Sequence, residues 1–145
     1  MKNSDIVREF SLPRKLTHGV IVDILANGLF AGYCGFDGVD FDQAAYQAAK
    51  EKLIAEGMEG PTVEDIQARM LEDGGSISLH TLEGDDDEWN ELTLDKLVKG
   101  LSIYDEKPVN GTLADILSGD KDLVLDSNDY DAVLQYAVFG DLAIG

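Results

Sequence analysis

The side chains of this sequence that could do chemistry are mostly carboxylates, and the densest group lies in the run 83–88, Glu-Gly-Asp-Asp-Asp-Glu. Clustered carboxylate oxygens are the ligands that hard divalent cations prefer, so this run could bind calcium or magnesium. However, the spacing of an EF-hand loop, with its central glycine and distant glutamate, is missing. A solvated turn is the simpler interpretation. We predict no metal ligand here, and weak divalent-cation binding is kept as an alternative.

Two smaller groups of aspartates are better explained by helix capping than by metal coordination. Asp37, Asp40 and Asp42 lie just before a predicted helix, and Asp126, Asp129 and Asp131 lie around the start of another. Short acidic side chains at helix starts accept hydrogen bonds from the first N–H groups.

The two histidines and the single cysteine form no recognisable catalytic pattern. His18 follows a predicted helix cap and His80 falls on the outer face of a predicted strand, so we expect structural or surface roles for both. Cys34 has acidic neighbours, which disfavour a thiolate. The sequence also lacks a phosphate-binding loop and a nucleophile elbow. We therefore predict no catalytic residue, no cofactor and no enzymatic activity.

Composition restricts the partners. Among 145 residues, 29 are acidic and 11 basic, and the formal net charge is -18. Direct nucleic-acid binding is disfavoured, because neutralising phosphates requires a lysine- and arginine-rich surface. The charge is also uneven: residues 1–50 hold five basic and six acidic groups, whereas residues 51–145 hold six and 23. The expected partner is a basic protein, which could itself bind nucleic acid.

The same inventory predicts a location. No run of about eighteen apolar residues is present, as a membrane-spanning helix would need. The first residues do not resemble a secretory signal. A lone cysteine cannot form an internal disulfide, which favours a reducing compartment. We predict a cytoplasmic protein that does not contact membranes.

The spacing of apolar residues predicts one α+β domain over 1–145, mostly helical, with about six helices and a small antiparallel hairpin near 76–94. The glycine-rich segment 32–39 is expected to be a loop. The predicted parts are an extended arm with at most one strand at 1–16, a first helix-loop-helix at 17–57, a helix, hairpin and helix at 61–109, and a second helix-loop-helix at 110–145.

An internal duplication would relate the first and last parts. The segment 19–28 matches 111–119, and 40–48 resembles 129–137, including an Asp-aromatic-Asp start in the second pair. Helical patterning alone also produces such similarities, because it places apolar residues at equal spacings. A pseudo-twofold arrangement and a chance likeness both stay open.

Acidic rows along the third, fourth and sixth helices and at the hairpin tip could imitate a phosphate backbone and block the cationic groove of a nucleic-acid-binding protein. In charge and length only, the chain is similar to small inhibitors of restriction or CRISPR-type nucleases carried by phages and other mobile elements. No residue role is transferred from that resemblance. The predicted partner-binding residues are Glu64, Glu72, Asp73, Asp85, Asp86, Asp87, Glu88, Trp89 and Glu91.

Two other interpretations compete with mimicry. The acidity could serve solubility alone. Alternatively, the chain could be a structural or assembly module of a mobile element, with contacts in its weakly charged first third or its apolar C-terminal run 138–145, which would allow homo-oligomers. Four aromatic residues are least accounted for by helical faces, and they either anchor a partner or seal the core: Tyr33, Phe36, Trp89 and Tyr104.

Overall fold

The structure is a computed structural model that describes residues 3–10, 14–29, 36–81, 89–119 and 127–142. Within these ranges, six helices and two small antiparallel sheets form an α+β fold, as predicted. The elements are β1 (Ile6–Phe10), β2 (Arg14–Thr17), α1 (His18–Leu29), β3 (Phe36–Asp40), α2 (Gln43–Ala55), α3 (Val63–Glu72), β4 (Ser76–Thr81), β5 (Trp89–Thr93), α4 (Leu94–Glu106), α5 (Leu113–Ser118) and α6 (Ser127–Phe139).

Helix starts follow local capping. The hydroxyl of Thr17 accepts from the amide of Val20, which confirms the predicted start of α1. Thr62 and Asp65 form a capping box at α3, with each side chain accepting from the other residue's amide. Such reciprocal bonds satisfy amides that have no partner within the helix.

The centre of the fold is α6, in which every residue from Asp129 to Ala137 is buried. Its most extensive helix contacts are with α4 and α1. Glycines allow both approaches: a Cβ at Gly100 would lie 2.6 Å from the Val133 carbonyl oxygen, and one at Gly28 would lie 2.6 Å from Leu134 Cδ1. At Gly100 the close atoms include backbone, so a side chain there would push the two helices apart. At Gly28 the nearest atom is the end of the flexible Leu134 side chain, which can move.

Asp129 also fixes the beginning of α6. Its Oδ1 accepts from the Tyr104 hydroxyl at 2.5 Å and from the amides of Asn110 and Gly111 at 2.8 and 3.0 Å. This carboxylate therefore holds the end of α4 and the segment before α5 against α6. These bonds join separate segments of the chain, which the predicted capping of the helix start by Asp129 did not anticipate.

The predicted hairpin is confirmed as β4 and β5, but its sheet has a third strand. The strand order is β3-β4-β5, antiparallel throughout. The prediction of a loop over 32–39 is wrong for the described part of that segment, since Phe36–Asp40 pairs with β4. The sequence does not indicate this strand, because the glycine at position 38 disfavours strands. The segment is a strand because its backbone pairs with β4.

The N-terminal arm also differs from prediction. Instead of one extended strand, β1 and β2 form an antiparallel two-stranded sheet. Leu16 is fully buried and fastens β2 to the core, whereas Ile6 is 51% exposed. The pairing of two short strands depends on the turn between them, which a search for apolar alternation does not detect.

None of the helices in the part of the chain described by the structure is long and apolar enough to cross a bilayer.

Candidate functional site: the outer face of the three-stranded sheet

The sheet β3-β4-β5 has one buried and one outer face. Ile77, Leu79 and Leu92 are buried on the inner face. Because successive strand residues point to opposite faces, their neighbours along each strand point outward. The pairing register aligns these outward residues in two rows across the sheet. The first row is Gly38, His80 and Trp89, and the second is Asp40, Ser78 and Glu91.

We call these two rows, together with Asp37, the acidic sheet face. Its most unusual member is Trp89, which is 45% exposed. The centroids of the Trp89 and His80 rings are 5.0 Å apart, and the ring planes meet at 59°. A Cβ at Gly38 would lie 3.5 Å from Trp89 Cη2, so the indole extends across β4 and rests on the backbone of β3.

Asp37 fixes the histidine under this indole. The register of β3 shifts between Phe36 and Gly38, which makes Asp37 an extra residue in the strand. Its Oδ1 lies 2.5 Å from His80 Nδ1. A carboxylate in that position requires the proton on Nδ1, so it selects the imidazole's orientation. Asp37 thereby positions His80, and His80 positions the ring of Trp89.

The charge on this face is negative. Asp37, Asp40 and Glu91 are all exposed. Lys96 Nζ lies 3.8 Å from Glu91 Oε1, and Asp40 forms no ion pair with any residue that the structure describes. An exposed aromatic ring thus shares this face with three carboxylates, and the ammonium of Lys96 lies beside Glu91.

The predicted carboxylates of α3 contribute less than expected to an open anionic surface. The side chain of Glu72 is only 5% exposed and lies 2.6 Å from His18 Nδ1. Asp73 is 3.1 Å from Lys52 Nζ and 3.0 Å from Arg69 Nε. Glu64 is partly buried in the first turn of the helix.

The structure agrees with only some of the other predicted acidic rows, those on α6, on α4 and at the hairpin. An acidic row on α6 is wrong, since Asp129 and Asp131 are 1% and 8% exposed in the central helix. On α4, Asp95 pairs with Arg8 and Asp105 with Arg14. At the hairpin, Trp89 and Glu91 belong to the acidic sheet face. The remaining predicted residues, Asp85, Asp86, Asp87 and Glu88, lie outside the described residues.

Of the other aromatic candidates, two belong to the core. Phe36 is 3% exposed and stacks on Phe139, with ring centroids 5.9 Å apart. Tyr104 is fully buried, and burial followed by the hydrogen bond to Asp129 raises the pKa of its hydroxyl. Tyr33 and Cys34 lie outside the described residues.

His18 is also internal rather than part of a surface site. Its ring is fully buried between Glu72 Oε2, 2.6 Å from Nδ1, and Asp65 Oδ1, 2.9 Å from Nε2. Burial by itself lowers the pKa of His18, but the hydrogen bonds that the ring donates to Glu72 and Asp65 outweigh burial and raise the pKa above 6.5. Because each ring nitrogen faces a carboxylate oxygen, the protonated imidazole, which donates from both nitrogens, is the form that fits this buried position.

Sequence reasoning missed Asp37, Gly38, Asp40 and His80 as neighbours of Trp89. The outward position of His80 followed from alternation along β4. What brings the others beside it is the pairing of β3, a strand that the sequence does not indicate.

Among the described residues, no group of three or more histidine, cysteine or acidic side chains is arranged to hold a metal ion. Comparisons with protein-family models, with curated proteins and with solved structures found no match to this chain.

Proposed function

We propose that this chain is a non-enzymatic interaction protein that binds a basic protein and competes with that protein's nucleic acid. The observation that supports it best is the exposed indole of Trp89 among the carboxylates of Asp37, Asp40 and Glu91. A cationic groove shaped for phosphates would meet negative charge and an apolar anchor on this one face.

Charge and ring would contribute differently to binding. The net charge of -18 attracts a basic partner over long distances and speeds its association at low salt. Exposed ion pairs alone stabilise a complex weakly, typically by about 0–1 kcal/mol each. An aromatic side chain that loses water at the centre of an interface contributes more. Trp89 would therefore supply the affinity that the carboxylates cannot.

The proposal is tested by displacement of nucleic acid. A panel of purified basic DNA- and RNA-binding proteins is loaded with short fluorescent oligonucleotides, and the chain is added while anisotropy is followed. We expect release from at least one panel member at near-stoichiometric amounts, weakening steeply as salt rises. Polyglutamate of equal total charge should release far less.

Matched variants separate the sheet face from charge in general. D40N/E91Q removes two carboxylates from the acidic sheet face, and E51Q/E59Q removes two exposed carboxylates near α2. We expect about tenfold weaker displacement for D40N/E91Q and little change for E51Q/E59Q. Equal effects of both variants, or equal action of polyglutamate, would contradict the proposal.

A further inference from the structure

We infer that the indole of Trp89 binds an arginine side chain of the partner. This inference rests on the proposed function and specifies it, since it names the chemical group that the acidic sheet face recognises.

The sheet fixes the placement of the indole ring of Trp89. The indole lies over Gly38, where a Cβ would be 3.5 Å from Trp89 Cη2, and it contacts the ring of His80. One side of the ring is thereby supported by the sheet, while 45% of the residue stays exposed. Such a supported surface accepts one planar group from solvent. It is not a cage that would surround a compact ammonium.

The strand register also sets the position of two carboxylates relative to the indole. Asp40 and Glu91 occupy the row next to Trp89, two residues along their strands. Two residues in a strand span about 7 Å. When a guanidinium stacks on the indole, its N–H groups point outward in the guanidinium's own plane, which is parallel to the indole. It can therefore stack and donate to a carboxylate at once.

Arginine and lysine differ in how their charged groups would contact the indole. An ammonium is a compact, strongly hydrated point charge, whereas a guanidinium is planar and weakly hydrated and stacks on aromatic rings. Cation–π attraction is strongest at tryptophan. Both cations would feel the carboxylates, but only arginine matches the flat indole as well.

A nucleobase is another planar group that stacks on exposed aromatic rings. The negative charge of this face disfavours its binding. Its phosphates would lie beside Asp37, Asp40 and Glu91, which are exposed on the same face. Charge complementarity thus favours a guanidinium over a base.

The test uses the single tryptophan of the sequence as its own probe. Intrinsic fluorescence is recorded while the chain is titrated with a short glycine-serine peptide carrying several arginines, and with matched peptides carrying lysine or citrulline. We expect the arginine peptide to change Trp89 fluorescence. Its affinity should be at least about fivefold higher than that of the lysine peptide. The citrulline peptide, planar but uncharged, should bind least.

Variants are compared by calorimetry, which does not need the indole. In W89L we expect arginine and lysine peptides to bind equally, while I54A, which shortens another exposed apolar side chain, keeps the preference. D40N/E91Q keeps the indole and should weaken the binding of both cationic peptides. This variant tests the contribution of the carboxylates even if W89L folds poorly.

The outcomes separate this inference from the proposed function. If the unaltered chain bound both cationic peptides equally, or if Trp89 fluorescence did not change, the inference that Trp89 binds arginine would be wrong. The displacement experiment would then still decide the proposed function. If oligothymidylate altered the fluorescence at lower concentrations than the arginine peptide, Trp89 would be a nucleobase platform, and both proposals would fall.

Discussion

His18 shows how one residue can organise distant parts of this chain. It begins α1, and its two ring nitrogens contact Asp65 in the first turn of α3 and Glu72 in its last turn. For Asp65, burial raises the pKa, but hydrogen bonds from His18 and Thr62 outweigh it and lower the pKa below 3.8. The contacts therefore favour the protonated imidazole of His18 and the ionised carboxylate of Asp65, and each of these charges depends on the other.

The raised pKa of His18 predicts a fall in stability on the alkaline side. A proton that binds the folded state more tightly stabilises it fully below the unfolded value of 6.5, and this contribution is lost as pH rises through the folded pKa. We expect the free energy of unfolding, measured by urea titration, to decline as pH rises above 6.5. H18Q should be less stable by about 3–5 kcal/mol and lack this slope.

The control for this prediction is H80Q, which removes the other histidine but leaves the buried cluster intact. It should keep the slope of the unaltered chain. A slope of equal size in H18Q would mean that another group titrates, and that the buried imidazolium does not control the pH dependence.

At the scale of elements, close contact between α4 and α6 depends on Gly100. The missing side chain lets the helix backbone approach Val133 and Ala137, where an added Cβ would meet atoms at 2.6–2.8 Å. A glycine inside a helix usually costs about 1 kcal/mol relative to alanine. We expect the close contact of the two helices to outweigh that cost at Gly100.

We therefore expect G100A to destabilise the protein by about 1–3 kcal/mol, because overpacking forces the two helices apart. The measurement is urea unfolding, and K99A on the exposed side of α4 serves as the control, with a change within about 0.5 kcal/mol. An increase in stability for G100A would mean that helix propensity dominates and that α4 and α6 can separate without loss.

The candidate site also belongs to the scale of elements. Asp40 and Glu91 lie on different strands, and they share a face because both pair opposite Ser78. A shift of one residue in either pairing would turn one of them inward. The acidic sheet face therefore exists only in this register.

At the scale of the whole molecule, charge repels itself. Several described cations are already engaged with the chain's own carboxylates, such as Arg69 with Glu56 and Asp73. The net charge of -18 nevertheless remains, and an excess of this size opposes compactness.

Salt should therefore stabilise the fold. Raising sodium chloride from about 0.01 to about 0.3 M shortens the screening length from about 30 Å to less than 10 Å. We expect the thermal midpoint to rise over this range, while partner binding weakens. E51Q/E59Q, with less charge to screen, should show a smaller rise. A midpoint that falls with salt would indicate that intramolecular ion pairs contribute more than repulsion.

Much of the helical architecture followed from the sequence, because helix signals are local. The hydroxyls of Thr17 and Thr62 lie within three residues of the amides they cap, so the residues that start a helix are near neighbours in the chain. The β4-β5 hairpin was predictable for a similar reason, since apolar alternation appears in both strands. The likeness of 19–28 to 111–119 and of 40–48 to 129–137 stays open between an internal duplication and chance.

Composition and short-range pattern thus determined the acidity, the helices and the hairpin. Only tertiary structure decided that β3 is a strand, that Gly38 leaves room for an indole, and that Asp37 and Asp40 lie beside Trp89. Asp37 and His80 are 43 residues apart in the chain. Contacts over such separations form through strand pairing and packing, which depend on the folded chain as a whole and leave no local signal.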